Sequence, residues 1–501
     1  MKNRKIKKVL LFVPPAYTFK NYIDINPLPS LGLAYIAAVL RLRGIEVKIV
    51  DSLLNGWNNR EIITEEIIRI GLPFEKIERI IIEESPEVVG VNCLFTKQRE
   101  NAHKIFEISK KINKDIINIA GGPHPSAMPE LVLSDPNLDW VVIGEGEQTL
   151  FDIVDTIEGK KDFSILDGVG FRHNGDIKII PKTRYITDLD SLPFPARELL
   201  NMKDYFGLKS SHGTRERERF SPIITSRGCP AKCTFCSAHK VWGHKYRVRS
   251  PENVILEMRE LKEKYDIEEI MFEDDNFNLD VKRANKILDM MIQEKFNFIW
   301  NTPNGFSAWT VTEDFLFKMK ESGCSRVSFA IESGNQFVLD NIIKKPIRLE
   351  KIKNLIKYAK KIKLKVGIFL IVGMPGETKE QIWDTFKLAE ELEIYEPFIS
   401  VAAPYPGSEI YEICKEKKYF SKNYSLDNLY IRGFPITTEE WTDEELKKIL
   451  QDGKTYLYFS FLKNKPFKFL QWFVPRFMEY PIPILKRITS YFIEKLQKLI
   501  L

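Results

Sequence analysis

Two long stretches of this 501-residue chain alternate short apolar runs with helical patterns, and that alternation restricts the fold more than any other feature. In residues 8–157 the candidate strands are Val9–Val13, Glu46–Val50, Val88–Asn92, Ile116–Ala120 and Trp140–Ile143. Helical patterns at Leu31–Leu42 (closed by Gly44), Lys97–Ile112 and Glu147–Ile157 lie among them. From Ile223 the pattern resumes with strands at Ile223–Thr225, Glu269–Glu273, Phe298–Trp300, Arg326–Ile331, Lys365–Val372 and Phe398–Val401. The helices there are Pro251–Tyr265, Asp280–Lys295, Thr312–Ser322, Leu349–Ile362 and Glu377–Leu392. A crossover helix returns each strand in the same direction, so such alternation builds parallel sheets. The expected class is α/β: a doubly wound Rossmann-like parallel sheet (1–157), a linker (158–220), a partial (β/α)6 TIM-type barrel (221–437) and a helical tail (438–501). Ligands on both sheet types bind beyond the carboxyl ends of the strands.

The loop after the first strand of the second block reads Ser226-Arg-Gly-Cys-Pro-Ala-Lys-Cys-Thr-Phe-Cys-Ser237, with Cys229, Cys233 and Cys236 inside eight residues. Thiolates crowded in this way select zinc, copper(I) or an iron–sulfur cluster. A structural zinc or a closed cluster asks for four protein ligands. His239, three residues after Cys236, is the nearest candidate for a fourth. The residues alone leave three readings: a 4Fe–4S cluster with one iron open to a small ligand, a zinc knuckle, or reduced buried thiols. The chain has six cysteines in all, too few for a disulfide scaffold at this length. Cys324 and Cys414 read as small core residues. Trp300, Trp309 and Tyr405 read as core aromatics or, less simply, as pocket walls.

The Cys-x3-Cys-x2-Cys spacing, with Phe235 ahead of the third cysteine, resembles the radical S-adenosylmethionine (SAM) superfamily. The first block resembles the cobalamin-binding domain found ahead of many radical SAM cores. Pro27-Leu-Pro-Ser-Leu-Gly32, Gly44-Ile-Glu-Val47, Gly121-Gly122-x-His124 and Gly144-Glu-Gly-Glu147 stand in that domain's order, and Asp190-Ser-Leu-Pro-Phe-Pro195 resembles the joining segment. The resemblance covers residues 8–420. It implies a 4Fe–4S cluster on Cys229, Cys233 and Cys236, whose open iron takes the amino and carboxylate groups of SAM. Once reduced, the cluster would split SAM and yield a 5′-deoxyadenosyl radical. Cobalamin between the two domains would then hand a methyl group to an unactivated carbon of the substrate. The same machinery also serves cyclisation, C–C coupling or oxidation in relatives. A non-catalytic metal- or corrinoid-binding module is the reading from another class.

Carried over residue by residue, the resemblance implies SAM contacts at Phe235, Glu273, Asp274, Asn276, Glu332, Ser333, Gly373, Pro375 and Gly376. Acids and amides in Glu273–Asn276 suit the ammonium, although Asp274 or Asp275 also suits a helix cap. Glu332 and Ser333 suit the ribose or sulfonium, and the glycines of Gly373–Gly376 let backbone lie against adenine. Implied cobalamin contacts are Pro15, Leu31, Phe95, Thr96, Gly121, Gly122, His124, Gly144, Gly146 and Glu147. For His124, a backbone-bonded loop histidine is the alternative. The Asp-x-His-x-x-Gly motif that gives cobalt a histidine is absent, and the Pro14–Ser30 loop holds no histidine. No protein histidine ligand to cobalt is therefore expected from that loop.

Charge is concentrated at the end of the chain. Residues 461–501 hold eight lysines and arginines against two glutamates, which accounts for the whole net charge of +6. The same segment holds nine aromatics. A helix is expected over Thr438–Leu462. In a final helix, Leu485, Ile488, Phe492, Leu496 and Leu499 form one stripe, with Lys486, Arg487, Lys495 and Lys498 off it. Such a helix lies in a membrane interface or else caps the barrel. Expected partners are a small-molecule or lipid substrate, a flavodoxin- or ferredoxin-type electron donor and a peripheral membrane contact through 461–501. Nucleic acid is not expected, because the barrel mouth carries acids. The basic start is followed by too short an apolar run for a signal peptide, and no run is long enough to span a bilayer. The expected location is the cytoplasm, peripheral to the membrane's inner face.

Overall fold

The structure is a computed structural model. It describes residues 4–21, 23, 25–173, 175–208, 215–422, 424–429 and 433–479, with side chains in the last helix described to Pro475.

All five expected strands of the first block form. They lie in the spatial order Trp140–Val142, Ile117–Gly121, Val88–Asn92, Lys8–Val13, Glu46–Asp51, every pair parallel. The strands are runs of Val, Ile and Leu because helices cover both faces. Chain order reverses between Lys8–Val13 and Val88–Asn92, so this gap is the switch point where such sheets receive ligands. Pro14, Pro15 and the Cys93–Thr96 loop stand at its carboxyl edge.

The linker expected at 158–220 is more than a connector. Val169–His173 and Asp176–Ile180 form an antiparallel hairpin that extends the first sheet from Trp140–Val142. Phe171 stacks on Trp140 at 4.9 Å between ring centres, which ties the hairpin to the core. The signal was in the sequence: an Asn-Gly pair at 174–175 between two alternating runs is a sequence cue for a two-residue hairpin turn. Further on, the buried Tyr205 hydroxyl donates to Asp51 Oδ2 at 2.7 Å and holds the linker against the end of a strand.

The second block is an open six-stranded parallel sheet in sequence order: Phe220–Ile223, Glu269–Phe272, Ile299–Asn301, Cys324–Glu332, Lys365–Val372 and Phe398–Val401. Its first strand ends at Ile223, earlier than expected. Ser226–Arg227 leave the barrel and pair antiparallel with Arg247–Val248. That short ladder closes the base of the cysteine loop. Trp300 is fully buried, and its indole N–H donates to the Ser322 carbonyl at 3.0 Å. Cys324 and Cys414 are buried and unpaired, as core residues should be.

The tail begins as a cap on the barrel. Helix Asp443–Asn464 starts later than expected, where Thr442 and Glu445 form a reciprocal capping box. Leu446, Leu450 and Leu457 bury into the barrel core, each worth about 2 kcal/mol. Trp441 is buried and donates its indole N–H to the Glu377 carbonyl at 2.9 Å. A second helix, Pro466–Glu479, leaves Phe467, Leu470 and Val474 exposed. The stripe expected at Leu485–Leu499 lies outside the described residues. No helix among the described residues is long and apolar enough to cross a membrane.

Candidate metal and cofactor site at the domain interface

The cysteine loop is anchored before any ligand is considered. Thr234, between the second and third thiols, donates its N–H to the Ile343 carbonyl at 3.0 Å and its hydroxyl to the Ile342 carbonyl at 2.9 Å. The Thr234 carbonyl accepts the N–H of Ile410 at 2.9 Å. The loop is thus pinned between the segment after the fourth barrel strand and the helix Glu409–Lys417.

Cys229, Cys233 and Cys236 are free and half-buried; Cys233 feels the charge of both other thiols and Cys236 that of Cys229. Neighbouring groups favour the thiolates: the Ala231 N–H and the Asn276 side chain act to lower the Cys229 thiol, and the Ala238 N–H acts to lower the Cys236 thiol. N–H donors aimed at sulfur stabilise thiolates and tune cluster potentials. Burial pushes the bare Cys233 thiol up to about 12 and Cys236 up to about 11, so metal must displace protons to bind there. The His239 ring stacks on His244 at 4.9 Å between ring centres. Among the described residues, no three or more His, Cys, Asp or Glu side chains converge on a single metal ion, the arrangement a zinc knuckle needs. Three neighbouring thiols with no fourth side chain among the described residues fit a cluster with one open corner.

Around the thiols the barrel gathers charge. Glu332 ends the fourth strand at φ 74°, a left-handed conformation that costs a bulky residue about 1–3 kcal/mol and collects at functional sites. Its carboxylate pairs with Lys345 Nζ at 2.6 Å, both groups buried. Burial opposes the Lys345 charge, but Glu332 and the nearby thiols Cys233 and Cys236 outweigh it and keep the amine protonated. Asp275 is half-buried beside Cys229 and Cys236. Burial, then repulsion from Asp274, pushes its carboxyl up to about 6. Glu273 accepts from the Asn304 amide at 3.1 Å. Phe235 packs half-buried against the barrel core.

Several expected contacts are engaged elsewhere. Asp274 is buried and accepts from the N–H and hydroxyl of both Thr225 and Ser226, at 2.7 Å from the Thr225 N–H. It holds the end of the first strand, and the helix cap that Asp274 or Asp275 was expected to provide comes from Asp280. Asn276 is buried, accepts from the Ser307 hydroxyl and acts to lower the Cys229 thiol. Ser333 is fully buried, with Thr385 at 3.4 Å and the Asn335 N–H at 3.2 Å on its hydroxyl. Gly373 has φ 81°, and a Cβ there would meet Leu446 at 2.4 Å, so this glycine admits the tail helix. Pro375 is half-buried and Gly376 exposed on the same turn. Behind that turn, Glu377 is fully buried and accepts the N–H of Gly373 at 2.9 Å and of Met374 at 3.1 Å. Burial pushes its carboxyl up to about 8.

The first domain offers a different surface. Leu94 and Phe95, beside the switch point, are about half exposed. Thr96 and Leu31 are buried. Gly122 is obligatory: at φ 105°, a Cβ would stand 2.4 Å from Asn92 Oδ1. That leaves Gly121 and Gly122 as bare backbone at the strand end. His124 is buried, and neither ring nitrogen has a protein partner. Burial, then Arg99 and His103, pushes it down to about 4, so the ring is neutral. It lines a cavity of about 440 Å³ together with Arg99, His103 and Asp135. Gly144 and Gly146 flank Glu145, and Gly146 packs near Ile36. The Glu147 carboxylate bonds the Arg227 guanidinium at 2.6 Å; burial opposes ionisation, but Arg227 outweighs it and holds the group below its usual range. Lys345, Glu145 and Arg227 were not singled out from sequence. The available signal was charge: a glutamate at a barrel strand end needs a buried counter-ion, and Lys345 is a nearby lysine in the chain.

Two family models match. The Radical SAM superfamily model covers residues 223–389, and the B12 binding domain model covers residues 26–154. Cytidylyl-2-hydroxyethylphosphonate methyltransferase of Streptomyces wedmorensis is 33% identical over 477 residues, 89% of each chain. An anaerobic magnesium-protoporphyrin IX monomethyl ester cyclase of Rubrivivax gelatinosus is 25% identical over 466 residues, 91% of this chain and 80% of that protein. Among solved structures, the radical SAM methyltransferase TsrM of Kitasatospora setae superposes with a TM-score of 0.64 at 18% identity, over 82% of this chain and 78% of that one. The cobalamin-dependent radical enzyme OxsB gives 0.68 at 14% identity, over 91% of this chain and 66% of that one.

Proposed function

The chain belongs to the radical SAM superfamily, in the branch that carries a B12-binding domain ahead of the radical core and includes methyltransferases, and from that premise we propose that it methylates an unactivated carbon of a hydrophobic, lipid-like substrate. A 4Fe–4S cluster, SAM and cobalamin are the cofactors that go with this family. When bound they supply one-electron cleavage of SAM and a transferable methyl group.

The chain's own residues bind, orient and shield. Cys229, Cys233 and Cys236 hold the cluster. The Asn276 amide and the N–H groups of Ala231 and Ala238 offset charge on the sulfurs. Lys345 supports a carboxylate and Asp275 or Glu273 an ammonium, which are the two charged ends of an amino acid. Glu332, freed from Lys345, has the reach for a hydroxyl. Phe235, Pro375 and Gly376 offer a flat, mostly apolar wall. Leu94, Phe95, Gly121 and Gly122 offer apolar and bare-backbone surface for a macrocycle, with His124 behind them. The single observation that carries this reading is the three-thiol loop, with no fourth side-chain ligand among the described residues, seated against the B12 domain.

The lipid-like substrate rests on the tail. Phe467, Leu470 and Val474 are exposed on one helix next to Lys463, Lys465 and Lys468. This face suits an anionic membrane surface, where an apolar substrate collects. Flotation of the full chain with anionic vesicles, against a variant with these three residues changed to serine, checks the contact; equal recovery in the floating fraction removes it. A second reading keeps the same machinery for cyclisation, C–C coupling or oxidation, and the cyclase relative matching over most of the chain favours it.

The deciding experiment is anaerobic reconstitution with iron, sulfide and cobalamin, then incubation with SAM, a reductant and candidate lipids. About four irons per chain, 5′-deoxyadenosine, S-adenosylhomocysteine and a methylated product support methylation. 5′-Deoxyadenosine and a modified but unmethylated product support the second reading. Absence of both nucleosides overturns each and leaves a binding module.

A further inference from the structure

The cysteine loop, Gly228–Tyr246, closes on a ladder of only two residue pairs, Ser226 with Val248 and Arg227 with Arg247. Two features make that ladder weak by itself. An isolated short hairpin is marginal in water, and one of its pairs sets two guanidiniums opposite each other, where like charges destabilise. The remedy comes from the first domain. Glu145 Oε1 bonds Arg227 Nη1 at 3.0 Å and Arg247 Nη1 at 2.6 Å, so one carboxylate bridges both arginines. Its other oxygen accepts the Ile186 N–H at 2.8 Å. Glu147 takes the second Arg227 nitrogen at 2.6 Å. Arg247 also donates to the Trp242 and Ile186 carbonyls, each at 2.7 Å. Tyr35 of the first domain and Trp242 of the loop flank Arg227 at 5.4 and 4.9 Å. All four charged side chains are almost wholly buried.

We infer that the cluster site is completed by the first domain: Glu145 and Glu147 are positioning residues that hold the cysteine loop shut through Arg227 and Arg247. A buried charge whose partner is removed is strongly destabilising, whereas a satisfied network is rigid. Without Glu145, two buried guanidiniums face each other at the neck of the loop, two residues from Cys229. The loop then opens locally, while the barrel strands, held by their own core, stay closed. Retention of the cluster is therefore linked to docking of the B12 domain, whether or not a corrinoid is present. This linkage rests on the cluster reading above; the closing of the loop by Glu145 does not.

The test uses the full chain, prepared anaerobically without SAM or cobalamin. In cluster-free protein, Glu145→Gln raises amide hydrogen exchange across residues 228–246 by at least about tenfold and leaves strands 324–332 and 365–372 unchanged. After reconstitution with iron and sulfide, the same variant loses iron to a chelator at least about tenfold faster than the parent. Adding Arg247→Gln, which removes one of the two facing charges, recovers most of both effects. If Glu145→Gln does not accumulate as folded protein, Glu147→Gln, which leaves Glu145 bridging both arginines, is read the same way with a smaller rise of about threefold. Exchange in 228–246 equal to the parent's, or a rise shared evenly by the barrel strands, overturns the clamp. A parent chain that binds no iron sinks the cluster reading instead, and the exchange data alone then decide the clamp.

Discussion

Around the cysteine loop the barrel gathers buried charge: Lys345 paired with Glu332, and Asp275 beside two thiols. At the carboxyl edge of the first sheet the arrangement is reversed, with Leu94 and Phe95 half exposed, Gly121 and Gly122 bare and His124 neutral. The two sheets share a strand–helix logic, so the contrast lies in what each places at its strand ends. A small zwitterion needs paired charges at close range, already desolvated. A broad macrocycle needs area, which apolar side chains and glycine backbone supply. The arginine–glutamate cage at Arg227 joins the two surfaces and belongs to neither.

The contrast breaks most completely at the thiols. Changing any one of Cys229, Cys233 or Cys236 to alanine should abolish cluster absorbance and SAM cleavage, because a three-thiolate site has no spare ligand. Thermal unfolding should change little, since half-buried thiols contribute little packing. Retained SAM cleavage in any of the three would remove the barrel half of the comparison.

The next largest effect is at Lys345. Lys345→Met leaves Glu332 buried without its counter-ion and should cost about 3–5 kcal/mol of stability by denaturant titration. The double change Lys345→Met with Glu332→Gln removes the stranded charge and should recover most of that loss. Binding of SAM should stay weak in the double variant if these charges serve a ligand. Recovery of both stability and binding would make the pair a structural element only.

Much of this is legible in the sequence, and what is not legible shares a cause. Strand and helix positions followed from periodicity, and the cysteine spacing picked out the loop proposed to hold the cluster. The hairpin at Val169–Ile180 was hidden because its strands are short and lie among proline-punctuated segments, with Asn174-Gly175 as the only clear cue. Asp274, Asn276, Ser333 and Glu147 were assigned to ligands by position in a motif. A motif gives the residue at a strand end, but not which neighbour satisfies it. Asp274 faces Thr225 and Ser226 across some fifty positions of sequence, and Glu147 faces Arg227 from another domain. Such pairings are set by tertiary geometry that no local pattern encodes.

A buried carboxyl at each strand-end edge sharpens the comparison through pH. Glu377 is pushed from 4.5 up to about 8 and Asp51 from 3.8 up to about 6, both chiefly by burial. Each keeps its proton in the folded chain after the unfolded chain has lost it. The folded state therefore binds more protons, and stability falls as pH rises through these windows, by about 1.4 kcal/mol per pH unit for each group. Glu377→Gln should flatten the decline between about 4.5 and about 8, and Asp51→Asn only the part below about 6. Unfolding midpoints in denaturant at pH 5, 6, 7 and 8 read the difference. Identical profiles for both variants and the parent would mean these edges are wetter than the geometry implies.

The smallest effect on the fold should fall on the first sheet's edge, where exposed apolar side chains have little to lose. Leu94 and Phe95 are 48% and 49% exposed, so serine at both should shift stability by no more than about 0.5 kcal/mol each. The same change removes apolar area that a bound macrocycle would cover. At about 25 cal/mol per Å² that area is worth about 1–2 kcal/mol in binding, or about tenfold in affinity. Cobalamin titration by absorbance, on protein whose unfolding midpoint matches the parent, separates the two. Weakened cobalamin binding at unchanged stability assigns the edge to a ligand. Unchanged binding would leave the two half-exposed side chains as ordinary surface and confine ligand recognition to the barrel side.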